Sequence, residues 1–192
     1  MRFPGDRKAR GRAEIVAAAG RLFRADGFAA TGVDGLMKGA GRTAGTFYSY
    51  FSSKNSLFGA VLAASIEETQ SSLLGGLEGL SGDAWVAEVA RRYLSRAHRD
   101  DPAQGCAMPG LAAEVGRAPE ETRAVFEEHV KAFVARIAEN LGETAGATPL
   151  SDEDRALALV ALFVGGIVLA RAVKSKGLSD RILLAARRFA TR

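Results

Sequence analysis

The stretch from Thr31 to Lys54, TGVDGLMKGAGRTAGTFYSYFSSK, holds the residues whose types and spacing can do chemistry. Thr43, Thr46, Tyr48 and Tyr50 bring hydroxyls, and Arg42 and Lys54 bring cations. Hydroxyls and backbone N–H groups bond phosphate oxygens and base edges, while cations neutralise phosphates. The spacing predicts two short helices that would present these groups. Thr31 is expected to cap the first, with Val33, Leu36 and Met37 on one face. Ala40-Gly41 ends it, because glycine accepts the left-handed backbone that stops a helix. Thr43 is expected to cap the second, Ala44 to Phe51. There Phe47 and Phe51 lie four apart on one face, and Thr46, Tyr48 and Tyr50 occupy the other. Two helices about a short glycine-containing turn form a helix-turn-helix, whose second helix enters the DNA major groove.

Enzyme chemistry finds little support. His98 and His129 are the only histidines, and neither has metal-ligand spacing to a cysteine or carboxylate. His129 reads as a pocket or surface histidine rather than a catalytic base. No glycine-rich phosphate loop follows a strand, and no G-x-S-x-G elbow occurs. The chain is therefore expected to be no enzyme and to need no metal or cofactor.

The elements that must position Thr31–Lys54 read as all-α. Alanine and leucine dominate the 192 residues, and runs of alternating β-branched residues are absent. Ile15, Ala18, Ala19, Leu22 and Phe23 give the stripe of an amphipathic helix over about 12–26, closed by Gly27. Ser52-Ser53 caps a long helix over 54–74, with Lys54 in its first turn beside unpaired N–H groups that favour a phosphate. That rod continues into the second half through Val61, Leu62 and Ile66. Residues 1–11 hold Arg2, Arg7, Lys8 and Arg10 among Pro4, Gly5 and Gly11, which oppose regular structure. A flexible basic arm is expected there, either reaching DNA or simply solvated. Residues 1–58 carry 10 Lys/Arg against 4 Asp/Glu, and the remainder 16 against 18. The positive charge thus gathers on the segment that carries the helix-turn-helix.

The segment from Arg12 to Phe58 resembles the DNA-binding domain of TetR-family transcriptional regulators. The matching residues are Ile15, Ala18-Ala19, Leu22-Phe23, Gly27-Phe28, Thr31, Val33, Ala40-Gly41, Gly45-Thr46-Phe47-Tyr48, Tyr50-Phe51, Lys54 and Leu57. One departure is Arg42, where the family usually places a buried aliphatic residue; it either reaches out to a phosphate or packs the turn differently. The resemblance implies a ligand-responsive regulator, usually a repressor, that binds a palindromic DNA operator as a homodimer. It maps DNA contact onto Arg42, Thr43, Ala44, Gly45, Thr46, Tyr48, Tyr50 and Lys54. It also places effector binding and dimerisation in residues 59–192, beyond a helix-turn-helix domain at 12–58. A non-specific DNA-binding protein is the alternative.

In that second half six helices are expected, at about 54–74, 83–99, 109–115, 119–141, 152–173 and 179–190, with a loop from Gly142 to Pro149. Ser151 with Asp154 resembles a capping box, and Ser179 is expected to cap the last helix. Trp85, Tyr93, Cys106, Met108, Phe126, His129, Phe133 and Phe163 are candidates for lining an effector cavity, although the aromatic residues and Met108 read equally as core. The shortage of inward charges suggests an apolar or aromatic effector. Cys106, the single cysteine, is either an inert buried thiol or, just before a proline-marked helix start, a redox or electrophile sensor. The helix over 152–173 is apolar nearly all round and must be covered. It is expected to pair with the last helix and their copies through Phe163, Gly165, Gly166, Leu169 and Leu183. No apolar leader opens the sequence, and the run Ala156–Ala170 is short for a membrane span. A cytoplasmic protein is expected.

Overall fold

Helix α1, Pro4–Asp26, begins earlier than its apolar stripe predicts. The computed structural model describes residues 4–142 and 150–191. Positions 4–11, expected to be a flexible arm, are therefore helical. Proline is tolerated in a first helical turn, where its missing N–H has no partner to lose. Gly11 is needed for packing: a Cβ there would stand 2.8 Å from both Arg42 Nη2 and Tyr50 Oη. Thr31 does not cap the next helix. Its hydroxyl donates to the Gly27 carbonyl at 2.7 Å, and Gly32 is the residue that precedes α2, Val33–Gly39.

After Gly41, at φ +67°, the chain forms a 3₁₀ helix, Ala44–Ser49, where an α-helix to Phe51 was expected. Gly45 and Thr46 are weak helix formers, and the Thr46 hydroxyl bonds back to the Thr43 carbonyl at 2.8 Å. Thr43 does occupy the cap position, but without a side-chain bond. Ser53 caps α3, Lys54–Leu74, by accepting from the Ser56 N–H at 3.0 Å.

The helix expected over 83–99 is two. Chain geometry departs from helical at Leu94, so α4, Gly82–Tyr93, is followed by α5, Arg96–Asp100, capped by Ser95. Then come α6, Ala107–Val115, and α7, Glu120–Ala138. Residues 143–149 of the expected loop lie outside the described residues. Helix α8, Asp152–Ala172, starts at Ser151 as predicted, with the Ser151 hydroxyl on Asp154 at 2.8 Å. Helix α9, Lys176–Ala190, is capped by Ser175 rather than Ser179. Ser179 is buried and donates to the Ala170 carbonyl at 2.6 Å, closing α9 onto α8. No strand occurs among the described residues.

Two apolar cores result. The first joins Ile15, Phe23, Leu36, Met37, Phe47, Phe51, Leu57 and Phe58 to Ala107, Leu111 and Val115 of α6. Helix α6, assigned by sequence to the second half, thus completes the N-terminal core. The second core includes Trp85, Tyr93, Met108, Phe133, Phe163, Ile167 and Leu183. Helix α3 serves both: Leu57, Phe58, Val61 and Leu62 enter the first, Ile66 and Leu73 the second. Helix α8 is long and apolar enough to cross a membrane by length and composition alone. It packs against α5, α6, α7 and α9 and leaves Leu157, Val168 and Leu169 exposed.

Candidate nucleic-acid interface

Phe47 and Phe51 anchor the 3₁₀ helix. Both are buried in the first core, their ring centroids 5.9 Å apart. Anchoring one face fixes what the opposite face presents. Thr43, Gly45, Thr46, Tyr48 and Ser49 are exposed, Tyr48 to 75%. Ala44 is half-buried, and Gly45 has open space where a Cβ would stand. This low, hydroxyl-bearing surface, with one projecting tyrosine, fits the close approach a groove-reading helix makes. Exposed cations stand on α1 at Arg7, Lys8 and Arg10, and on α2 at Lys38. Ser49 and Lys38 were not singled out from sequence. Neither belongs to the apolar pattern, so only their exposure beside the anchored helix reveals them.

Tyr50 and Arg42 face elsewhere. Arg42 Nη2 pairs with Glu14 of α1 at 2.7 Å, Nη1 donates to the Tyr50 hydroxyl at 3.0 Å, and the guanidinium lies 5.3 Å from the Tyr50 ring centroid. The hydrogen bond that Arg42 donates to the Glu14 carboxylate raises the Arg42 pKa. In this structure Arg42 packs the turn, clamping the end of the 3₁₀ helix to α1 in the space that Gly11 leaves. Tyr50, expected to face the groove, is turned into the same clamp. Arg42→Ala should therefore weaken DNA binding a few-fold while leaving its salt dependence unchanged. Loss of a phosphate contact would instead flatten the slope of log affinity against log salt by about one unit. Anisotropy titrations at several salt concentrations separate the two.

Lys54 is also engaged. Its ammonium donates to the Phe28 carbonyl at 2.5 Å and sits 4.2 Å from the Phe28 ring centroid, and partial burial lowers its pKa. It ties the start of α3 to the turn after α1. The same turn is held from α6: Glu114 accepts from the N–H groups of Phe28 and Ala29, both at 2.9 Å. A third tie leaves α1, where Arg24 donates to the Ala103 carbonyl at 2.8 and 2.5 Å and to Ser65 Oγ at 2.5 Å. Burial lowers the pKa of Arg24. The loop before α6 is thus bonded directly to α1, and α6 itself to the turn that follows α1.

Of the expected effector-cavity residues, Trp85, Met108, Phe133 and Phe163 are buried in the second core. Phe126 is half-buried between the two cores, and His129 Nδ1 lies 3.8 Å from Glu67. Tyr93 and Cys106 do line a cleft of about 360 Å³, together with Thr69, Ser72, Ser95 and His98. Cys106 precedes α6 as expected, but burial pushes its thiol pKa up, opposite to the shift a poised thiolate needs. No group of three or more His, Cys, Asp or Glu that could hold a metal occurs among the described residues. Among the expected dimer residues, Phe163, Gly166 and Leu183 are buried within the subunit, whereas Leu169 is exposed and Gly165 faces open space.

Residues 15–61 match the family model of bacterial regulatory proteins, tetR family. Among solved structures, the fold is similar to that of E. coli NemR in its reduced form, at 23% identity and TM-score 0.76, covering 94% of this chain and 95% of that one. A TetR-family transcriptional regulator from Cytophaga hutchinsonii is similar at 20% identity and TM-score 0.78, covering 96% and 94%. A TetR transcriptional regulator from Chloroflexus aurantiacus is similar at 20% identity and TM-score 0.78, covering 97% of each chain. None of the curated proteins matches the sequence.

Proposed function

We propose that this chain, a DNA-binding transcriptional regulator of the TetR family, is a cytoplasmic, non-enzymatic repressor released from a palindromic operator by a small-molecule effector. The observation that carries the reading is the 3₁₀ helix, seated on Phe47 and Phe51 with Thr43, Gly45, Thr46 and Tyr48 free to meet a groove. Thr46 and Tyr48 would read bases, Ala44 and Gly45 would allow close approach, and Lys38 with the cations of α1 would neutralise phosphates. Few side chains reach bases, so each half-site would discriminate modestly and dimer spacing would supply the rest. A homodimer would set two such helices in successive major grooves, about 34–36 Å apart.

The division of labour follows the chain, with DNA binding over about 12–58 and effector binding and dimerisation over 59–192. The unpartnered apolar side of α8 supports a second copy as its cover. Ligand response is supported by the bonds from Glu114 and Arg24, which join the α6 region to α1 and its following turn. An effector acts only by binding one of two arrangements more tightly, and these bonds give a displaced α6 a way to tilt the DNA-binding helices.

Selection of fragments from sheared genomic DNA tests the proposal. Recovered fragments should share an inverted repeat with half-sites about one helical turn apart. Affinity for that repeat should exceed that for scrambled DNA by roughly a thousandfold or more. Equal affinity for all sequences, with a steep salt dependence, would favour a non-specific DNA-binding protein instead.

A further inference from the structure

We infer that the cleft between α3, α4, α5 and the 101–106 loop binds a small molecule that carries a carboxylate, which accepts from Nη2 of Arg92. The inference rests on the reading of the chain as a ligand-responsive regulator and names the class of its effector.

The cleft holds about 360 Å³, within the range of small-molecule sites. Leu73 and Ala97 give it apolar surface, Ser72 and Ser95 give it hydroxyls, and Arg92 is the one lysine or arginine on its wall. Arg92 is fixed in place without being used up. Its Nε donates to Glu88 Oε1 at 2.8 Å, and its Nη1 donates to the carbonyls of Leu73 and Gly75 at 2.9 and 2.8 Å. Nη2 has no partner among the described residues, and the side chain keeps 28% of its surface. A guanidinium is planar, so bonds at Nε and Nη1 also fix the direction of Nη2. A donor already held in place costs little to order when a ligand binds.

The charge of Arg92 is not cancelled by Glu88. Arg91 takes both oxygens of that carboxylate, Nε to Oε2 and Nη2 to Oε1, each at 2.6 Å. One anion therefore serves two guanidiniums, and one positive charge is left over. Two more cations stand behind the cleft wall. Arg171 donates to the carbonyls of His98 and Arg99, and Arg24 to that of Ala103. Both are half-buried, and burial lowers both pKa values. Carbonyl partners satisfy their N–H groups but leave their charge in place. Against these cations stand Asp101, the one carboxylate on the wall, and Glu68 near Arg24. Both are exposed, so water and salt screen them. Asp101 Oδ1 also accepts from the Gln104 N–H at 3.2 Å. His98 adds no charge. Its Nε2 accepts from the Cys106 N–H at 3.1 Å, its Nδ1 donates to the Tyr93 carbonyl at 2.7 Å, and burial lowers its pKa.

Ser95 supplies a second donor. Its oxygen accepts from the His98 N–H at 3.1 Å, which leaves its own proton for a ligand. The site thus offers a charged head group two donors and a ligand body the apolar surface of Leu73 and Ala97. This adds a charged head to the apolar or aromatic effector expected from the sequence. The site is also placed to signal. Gln104 lines the cleft, and the adjoining Ala103 carbonyl is the group that Arg24 of α1 grips.

The test is equilibrium dialysis of the full chain with three probes of nearly one shape: benzoate, benzamide and benzamidinium. Benzoate is expected to bind about tenfold or more tightly than benzamide, the scale of a hydrogen bond to a charged group, with benzamidinium weakest. Arg92→Gln should lower benzoate to the level of benzamide and leave benzamide unchanged. Glu88→Gln changes the charge in the opposite sense and keeps Arg92. It should tighten benzoate about two- to fivefold, the scale of an exposed ion pair, and again leave benzamide unchanged. In the wild type, nuclear Overhauser contacts should join the benzoate ring to the methyl groups of Leu73 and Ala97. No saturable benzoate binding, a preference for benzamide or benzamidinium, a benzoate advantage that survives Arg92→Gln, no gain from Glu88→Gln, or contacts to other residues only would each overturn the proposal. Selection of an inverted repeat from genomic DNA does not depend on any of these results, so failure here is separable from failure of the regulator reading.

Discussion

Glutamate at both Val168 and Leu169 is expected to give a folded monomer that binds its operator at least a hundredfold more weakly. Val168 is 40% and Leu169 57% exposed in the single subunit, on the side of α8 turned away from α7 and α9. Leu157 and Gly165 continue that side along the helix, and Leu178, Leu184 and Phe189 of α9 add exposed apolar surface. Apolar exposure of this extent on two adjacent helices marks an interaction surface. In the monomer the new carboxylates would stand in water and cost the fold little. In a dimer they would be buried without a partner, which is strongly unfavourable. The operator loss follows from linkage: joining two half-site binders raises avidity by roughly 10²–10⁴ without any new contact. Sedimentation velocity reads the oligomeric state, circular dichroism the fold, and fluorescence anisotropy the operator affinity. A dimer that survives both glutamates with undiminished affinity would place the interface elsewhere. Phe163→Glu or Leu183→Glu, which the sequence groups with Leu169, should instead unfold the subunit, since both side chains are almost wholly buried within it.

That contrast shows what periodicity reveals and what it hides. The four-residue spacing of Phe47 and Phe51 was enough to seat the second helix of the motif, and Ser53 and Ser151 were legible as caps because a cap is a local arrangement. Periodicity marks an apolar position as covered without saying by what. Phe163, Leu169 and Leu183 look alike in sequence, yet two fill the subunit core and one faces outward. Thr31 and Ser179 show the same limit for polar residues, since each has the chemistry of a cap but bonds a carbonyl before it, Thr31 that of Gly27 and Ser179 that of Ala170 in α8. Tyr50 was assigned to the groove because its sequence gives no sign of the Arg42–Glu14 pair that draws it toward α1. Of the polar cleft only Tyr93 and Cys106 were foreseen, for a different reason. Thr69, Ser72, Ser95 and His98 come from two helices and a junction that the sequence reads as one unbroken helix. The break at Leu94 creates that junction, and nothing in the local composition announces it.

Gly166→Leu is expected to destabilise the subunit by about 1–3 kcal/mol, the range for overpacking a filled core, whereas Gly165→Leu should leave the subunit's stability nearly unchanged. The two glycines are adjacent on α8, and from sequence both were expected at the dimer contact. In the structure a Cβ on Gly166 would stand 2.8 Å from Leu94 Cδ2 and 3.4 Å from the Ala186 Cβ, inside the packing of α8 against α9 and the α4–α5 junction. A Cβ on Gly165 would meet nothing within 4 Å. Leucine at that site would gain helix propensity of up to about 1 kcal/mol over glycine. Because the stability of a dimer depends on protein concentration, both substitutions belong in the Val168→Glu, Leu169→Glu background, where urea unfolding reports the subunit alone. There the midpoint should fall for Gly166→Leu and hold or rise for Gly165→Leu. In the native background the order should change, with Gly165→Leu weakening self-association by crowding the surface where a second α8 would approach. Equal losses for the two in the monomeric background would mean that α8 is rotated about its axis from the orientation described. The apolar face assigned to the partner would then be rotated with it.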